Sequence, residues 1–458
     1  MLYNLGHSLT AGARAGAEAH IPHFWEEAMA ALKDKLAQQI PALREEIKGL
    51  LKQHGDKKIS DVTIAQAYGG MRGVKGLICD TSVVEPDQGL IIRGTPILEL
   101  VGRLPEEIFW LLLTGELPGA SELKSLQAEL TEHGKVPAYV WQVLEAMPAD
   151  SHPMVMLSTA IMTMQRESEF AHRYHDMNKG EYWEAALTDA IRLTACLPEI
   201  AAGVYRLRFK KGGRIAPEAK LDWGANYYHM LGLVSEDETA YDMMRLYLVL
   251  HCDHEGGNVS ANTCHTVGSA LSDGYYAVSA GLNGLAGPLH GLANQECLDF
   301  VLDVQKRFGG VPTDQQMEEM CWELLNGGHV IPGYGHAVLR VVDPRFVAFL
   351  NFGKQHCADD VPFRIVDVLF RAAPKVLKEH GKAKNIWPNV DAGSGALLYH
   401  YGLTEFSYYT VLFSISRAMG MLSQLVLNRA MGTAITRPKS VSTEWVKQFA
   451  AQQASQAG

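Results

Sequence analysis

Residues Asn283–Leu292 read NGLAGPLHGL, and this stretch separates two helical signals. Leading into it, 266–288 is rich in Gly, Ala and Ser, a composition that lets a helix pack closely on its neighbours. Beyond it, LANQECLDFVLDV returns to helical period. The Gly287-Pro288 pair favours a turn between them. His290 therefore lies near a helix N-terminus, where the dipole disfavours added positive charge and tends to keep an imidazole neutral. A neutral imidazole can donate a hydrogen bond to a carbonyl that becomes an enol. A histidine in a turn, satisfied by backbone alone, is the competing reading.

The alternation of helix and glycine turn continues in both directions, so a mainly α fold is expected. Residues 25–53 carry apolar side chains at helical spacing, with Pro41 expected to break the run in two. Ser235 with Glu238 reads as a capping box ahead of 239–252, and Thr313 with Gln316 repeats it before 314–326. Residues 404–430 read as a long buried helix. Strand signals are confined to TIAQAYGG, LICDTSVVE and LIIRG between 63 and 94, a minor β element near the N-terminus. The tail from Ala450 is expected to fray.

Two more blocks carry acid–base side chains. In IPGYGHAVLRVVDPR, 331–345, the residues Pro332, Gly333, Tyr334 and Gly335 form a tight loop before His336, and Arg340 and Arg345 follow. Arginine's planar fork suits carboxylates and phosphates, so a His–Arg pair can bind and polarise a keto acid. GYG is no dinucleotide fingerprint, because no GxGxxG follows a strand. In PNVDAGSG, 388–395, Asp391 reads either as a helix cap or as a general base beside the carbon it deprotonates. A fourth block, LHCDHEGGNVSANTCH at 250–265, offers His251 and His254. A metal site is the rival there, yet the order fits neither H-E-x-x-H nor H-x-x-E-H. No metal is expected; one histidine reaching an anionic ligand, the other packed, is the preferred reading.

Composition limits the alternatives. The 458 residues suffice for two domains, and 47% hydrophobic with 20% charged residues argues against disorder. A net charge of −10 gives no footprint for nucleic acid, so positive charge for an anionic ligand must be local. Seven cysteines (Cys79, Cys196, Cys252, Cys264, Cys297, Cys321, Cys357), without C-x-x-C, read as reduced buried thiols. The best membrane candidate, Phe406 to Leu427, is interrupted by Arg417, and no membrane partner is expected. The first twenty residues resemble neither a secretory signal nor a transit peptide. A bacterial cytoplasmic location is the first expectation, the mitochondrial matrix the alternative.

Together, HCDHEGGNVSANT, NGLAGPLHGLANQE, PGYGHAVLR..DPR, GKAKNIWPNVDA, SRAMG and TRPKS, with YGGMRGVKGL and IIRGTPI, resemble citrate synthase of the animal-mitochondrial type over about residues 39–447. The resemblance implies a large helical domain (1–292 plus 394–458) and a small helical domain (293–393) that closes on it. It implies condensation of acetyl-CoA with oxaloacetate and hydrolysis of citryl-CoA to citrate and CoA. Asp391, His290 and His336 would be catalytic, supported by Asn258 and Ser260. Oxaloacetate would be held by His254, Arg345, Arg417 and, across a homodimer, Arg437. The thioester's CoA would meet Pro332, Gly333, Tyr334 and Gly335, with Arg72, Arg340 and Lys384 at its phosphates and Lys179 reaching it from the partner subunit. No cofactor beyond the CoA substrate is implied. Three positions depart from the pattern: Lys179 stands for an arginine, Gly393 for a histidine and Ile386 for a proline. A 2-methylcitrate synthase acting on propionyl-CoA is the nearest alternative. A metal hydrolase using 251–265, or an idle CoA-binding scaffold, are the rivals from other classes.

Overall fold

A computed structural model describes residues 30–233 and 236–456. The leader reading, residues 25–29 of the expected helical run, and Ser235 lie outside the described residues. What is described is a mainly α fold with a single three-stranded antiparallel sheet among those residues.

The long helix Tyr409–Met431 is the core around which the others pack. It runs against Tyr182–Arg208, Val259–Ser269, Gly274–Leu285 and Pro105–Thr114. The stretch Phe406–Met431 is long and apolar enough to cross a membrane, but 94% of its most apolar window is buried inside the protein. Its apolarity is thus accounted for by packing on helices.

Ala293–Phe308, Asp314–Asn326, Val361–His380 and Asp391–His400 pack chiefly on one another, and Pro344–His356 joins them through Asp391–His400 while also meeting Glu238–His251 and Ile97–Leu100. The expected domain boundary at 393/394 falls inside Asp391–His400, which lies against Ala293–Phe308, Pro344–His356 and Val361–His380.

The sheet pairs β1 (Ser82–Glu85) with β2 (Gly89–Ile92) in the register Ser82↔Ile92 to Glu85↔Gly89, and β3 (Thr95–Pro96) adds to β2. Of the three strand signals, TIAQAYGG is instead a helix, Ile64–Tyr68. Thr63 accepts from the Gln66 N–H and Gln66 returns the bond to the Thr63 N–H, and this capping box overrides the strand-like pattern. Pro41 does not break its helix, which is continuous over Ala31–His54. Leu32, Leu36 and Ile40 form a buried stripe, and Pro41 faces solvent beside it. The expected 266–288 helix is two, Val259–Ser269 and Gly274–Leu285, because Asp273 caps the second by accepting from the Tyr275 and Tyr276 N–H groups. Asp237 caps Glu238–His251. The Thr313–Gln316 box is present before Asp314–Asn326. The tail stays helical to Gln456 rather than fraying at Ala450.

The loop after Glu238–His251 is pinned to the central helix and to the sheet. Asp253, fully buried, accepts from Thr81, Ser82 and Gln424. The Gly420 N–H donates to the Cys252 carbonyl at 3.1 Å. A side chain at Gly420 would place Cβ 2.5 Å from that oxygen and from Asp253 Oδ1. Gly420→Ala is therefore expected to cost about 1–3 kcal/mol through overpacking, read as a lowered urea midpoint with the slope unchanged. An unchanged midpoint would show that the loop is free to move away.

Candidate active site

Arg417 projects from the middle of Tyr409–Met431 and is 2% exposed. Its Nε donates to the His251 carbonyl at 3.1 Å, and Nη1 lies 3.3 Å from Asn258 Oδ1 and 3.4 Å from Ser260 Oγ. The guanidinium also covers the Phe413 ring at 4.8 Å. Among the described residues it forms no ion pair; Asp253 and Asp391 act on it only at longer range. Burial lowers its pKa to about 10. A buried cation without a carboxylate partner is costly, and an anionic ligand is what would relieve it.

Asn258 caps Val259–Ser269, accepting from the Ala261 N–H, and its Nδ2 donates to the carbonyls of His254 and Glu255. The next turn carries Ser260, whose backbone N–H points at His290 Nε2 (3.4 Å). Its hydroxyl lies 3.0 Å from the same nitrogen and 2.7 Å from Asn258 Oδ1. An amide N–H can only donate, so Nε2 accepts and the neutral ring carries its proton on Nδ1. Burial, with Arg417 nearby, lowers the His290 pKa to about 4.

His336 follows the Pro332–Gly335 loop. Its Nδ1 accepts two backbone N–H groups, from Val338 at 3.1 Å and Leu339 at 3.0 Å. The ring proton is therefore on Nε2. Burial and Arg345 lower its pKa to about 4 as well. The His254 ring stands 5.8 Å from that of His336, and burial with Arg345 and Arg417 pushes its pKa well below the usual range. His251 is instead a packed histidine: its Nδ1 donates to the Tyr247 carbonyl, and it stacks on the Tyr247 ring at 4.1 Å. No group of three or more His, Cys, Asp or Glu side chains with metal-site geometry occurs among the described residues.

Asp391 opens the helix Asp391–His400, its N–H donating to Asn389 Oδ1. The loop before it is tied to the His336 loop: the Asn389 N–H donates to the Gly333 carbonyl, the Gly335 N–H to Trp387, and Asn389 Nδ2 to Gly335. Gly333, at φ +77°, lets the loops approach; a Cβ there would lie 2.7 Å from that of Ala392. The Asp391 carboxylate has no hydrogen-bond partner among the described residues. Burial pushes its pKa up to about 6, against the pull of Arg345 and Arg417.

The residue sequence reasoning missed is Asp343. It caps Pro344–His356 and holds the Arg345 guanidinium in a two-point grip, Nε to Oδ1 at 3.0 Å and Nη2 to Oδ2 at 2.7 Å, with both residues buried. The Asp-Pro pair could have signalled the cap. A cleft of about 430 Å³ is lined by Tyr334, Gly335, His336, His380, Lys382 and Lys384. Arg340 lies close by, its guanidinium donating to the Val338 and Leu339 carbonyls. Arg72, Lys179 and Arg437 are exposed and are not brought to the cluster within one chain.

Comparison with known proteins fits this geometry. The citrate synthase C-terminal domain family matches residues 70–439. The chain is 46% identical to the mitochondrial citrate synthase of Saccharomyces cerevisiae, over 93% of this chain and 91% of that one. It is also 46% identical to the mitochondrial 2-methylcitrate synthase of Yarrowia lipolytica, over 90% and 91%. The crystal structure of citrate synthase from Pyrobaculum aerophilum superposes with a TM-score of 0.74 at 27% identity, covering 84% of this chain and 95% of that one. The relatives' mitochondrial names overturn the expectation of a bacterial cytoplasmic location.

The shifts set a pH profile. With both histidines neutral above about 4, only ionisation of Asp391 falls in the working range. Activity that needs the carboxylate as base should be full above about 6 and fall tenfold per unit below it, seen in kcat/KM for the thioester. A limb that begins only near pH 4 would contradict the raised Asp391.

Proposed function

Because the chain belongs to the citrate synthase family, and so condenses acetyl-CoA with oxaloacetate to citrate and CoA, we propose that Asp391, His290 and His336 carry the reaction. The observation that carries this assignment is a buried cluster in which Arg417 acts on neutral His290, Arg345 acts on neutral His336, and both act on Asp391, whose carboxylate has no hydrogen-bond partner among the described residues.

Asp391 takes a methyl proton from acetyl-CoA, and the C–H pair becomes the enol double bond. The His290 Nδ1–H hydrogen-bonds the thioester oxygen as charge develops there. The enol carbon attacks the keto carbon of oxaloacetate, its double-bond pair becoming the new C–C bond as the thioester C=O is restored. The keto oxygen, polarised by the His336 Nε2–H, takes up a proton to become the citryl hydroxyl, which balances the proton left on Asp391. Water then cleaves the C–S bond of citryl-CoA, releasing CoA and citrate. Arg345, Arg417 and His254 bind the oxaloacetate carboxylates, with the partner subunit's Arg437 completing the set. The Pro332–Gly335 loop and its cleft take the CoA, with Arg340, Lys384 and Arg72 toward its phosphates and the partner subunit's Lys179 reaching it. Lysine at 179 supplies charge without a fork, so its hold is looser than an arginine's.

The lobe of five helices between Ala293 and His400 would close on the remainder, excluding water before the enol forms. A site drawing on two chains makes the homodimer the working unit. Neither metal nor prosthetic group has a role in this scheme, and the mitochondrial names of the relatives favour the matrix.

A propionyl substrate is the second reading, favoured by the Yarrowia lipolytica relative. One methylene is worth about 1–3 kcal/mol in a pocket, or about 10–200-fold. CoA release should require oxaloacetate and favour acetyl- over propionyl-CoA. In Asp391→Ala it should drop by about 10²–10⁴-fold with oxaloacetate affinity retained. Faster turnover of propionyl-CoA would make the protein a 2-methylcitrate synthase. Undiminished turnover in the variant would remove Asp391 as the base.

A further inference from the structure

The helix Val259–Ser269 supports His290 at its first turn through Ser260, and a second contact at its other end has no part in the scheme above. His265, half-buried near its last turn, bridges two groups. Nδ1 lies 2.9 Å from Asn428 Nδ2, and Nε2 lies 2.9 Å from Thr436 Oγ1. An amide NH2 can only donate, so Nδ1 accepts and the Nε2–H donates to the threonine hydroxyl. The Thr436 N–H meanwhile donates to Ser269 Oγ at 3.0 Å. Thr433 is tied to Asn428 by its N–H, at 3.0 Å from the carbonyl, and by its hydroxyl at 3.4 Å from Oδ1.

These bonds fall on a segment with little else to hold it. From Gly432 to Trp445 every residue but Thr436 is exposed, and 434–442 belongs to no helix or strand. Arg437 is the next residue. Thr436 is half-buried, and the next tie along the segment is at Thr443, which accepts from Tyr68 Oη; the residue beside the Thr436 anchor therefore gains most in placement.

We propose that His265 is a positioning residue: through Thr436 it fixes the backbone from which Arg437 reaches the oxaloacetate site of the partner subunit. The proposal rests on the reading of Arg437 given above. One helix then serves two sites, holding His290 of its own subunit at the first turn and Arg437 for the partner's at the last.

The test is steady-state kinetics on the full-length dimer, varying each substrate. In His265→Ala and in Thr436→Val, KM for oxaloacetate should rise about tenfold, with kcat and KM for acetyl-CoA within about twofold of wild type. His265→Gln, whose amide can accept from Asn428 and donate to Thr436, should recover most of the loss. Thr436→Val is nearly isosteric and lies outside the helices, so it carries the test if His265→Ala fails to fold or to dimerise. Arg437→Ala separates the two claims. If it raises KM for oxaloacetate while His265→Ala and Thr436→Val leave KM unchanged, the positioning role is overturned and the Arg437 reading stands. If Arg437→Ala itself leaves KM unchanged, the underlying reading fails and the proposal falls with it. Equal changes in KM and kcat for both substrates would mark His265 as merely structural, and would also overturn it.

Discussion

The site is organised around a buried cation, Arg417, with no ion-pair partner among the described residues. Arg417 emerges from the long buried helix Tyr409–Met431, and its Nε and Nη1 meet a carbonyl, an amide oxygen and a hydroxyl. Arg345, by contrast, has its charge offset by Asp343. Burial is the first reason that His290, His254 and His336 stay neutral; Arg417 adds to it at His290, Arg345 and Arg417 at His254, and Arg345 at His336. Neutral imidazoles are the form that can donate one hydrogen bond to a carbonyl while accepting another from backbone. Burial raises the Asp391 pKa, and Arg345 and then Arg417 hold it to about 6, so the carboxylate stays ionised at neutral pH.

Backbone geometry turns that potential into direction. The N–H groups of Val338 and Leu339 occupy Nδ1 of His336, and the N–H of Ser260 meets Nε2 of His290. The two rings are thereby fixed as opposite tautomers. The loops bearing His336 and Asp391 are bonded to each other, so the lobe that carries them can move without separating them. The sheet contributes by pinning the Asp253–Glu255 loop, through Ser82 to Asp253 and Val84 to Glu255, on which His254 is mounted.

Much of this was legible in the sequence. The helical period, the Thr313–Gln316 box and the buried 404–430 run are local signals, and they survive in the fold. Local signals misled where a competing local bond or long-range burial decided the outcome. Thr63 and Gln66 capped a turn of helix in a strand-like stretch; Asp273 split a helix; the Leu32–Leu36–Ile40 stripe carried a helix through Pro41. In the site, glycines and prolines around His290, His336 and Asp391 marked them as chemistry-bearing. The tautomers and the Asp343–Arg345 grip were invisible, because each depends on which backbone or side chain folds onto the ring or guanidinium.

The direct test of an unpaired cation held for the substrate is calorimetric titration of oxaloacetate into wild type and Arg417→Met, with folding of the variant checked by urea denaturation. If Arg417 is the charge that oxaloacetate neutralises, the variant folds and its affinity falls by at least about thirtyfold, the loss of roughly 2 kcal/mol or more that follows truncation of one partner of a buried charge pair. A folded variant that binds oxaloacetate as tightly as wild type would contradict the account.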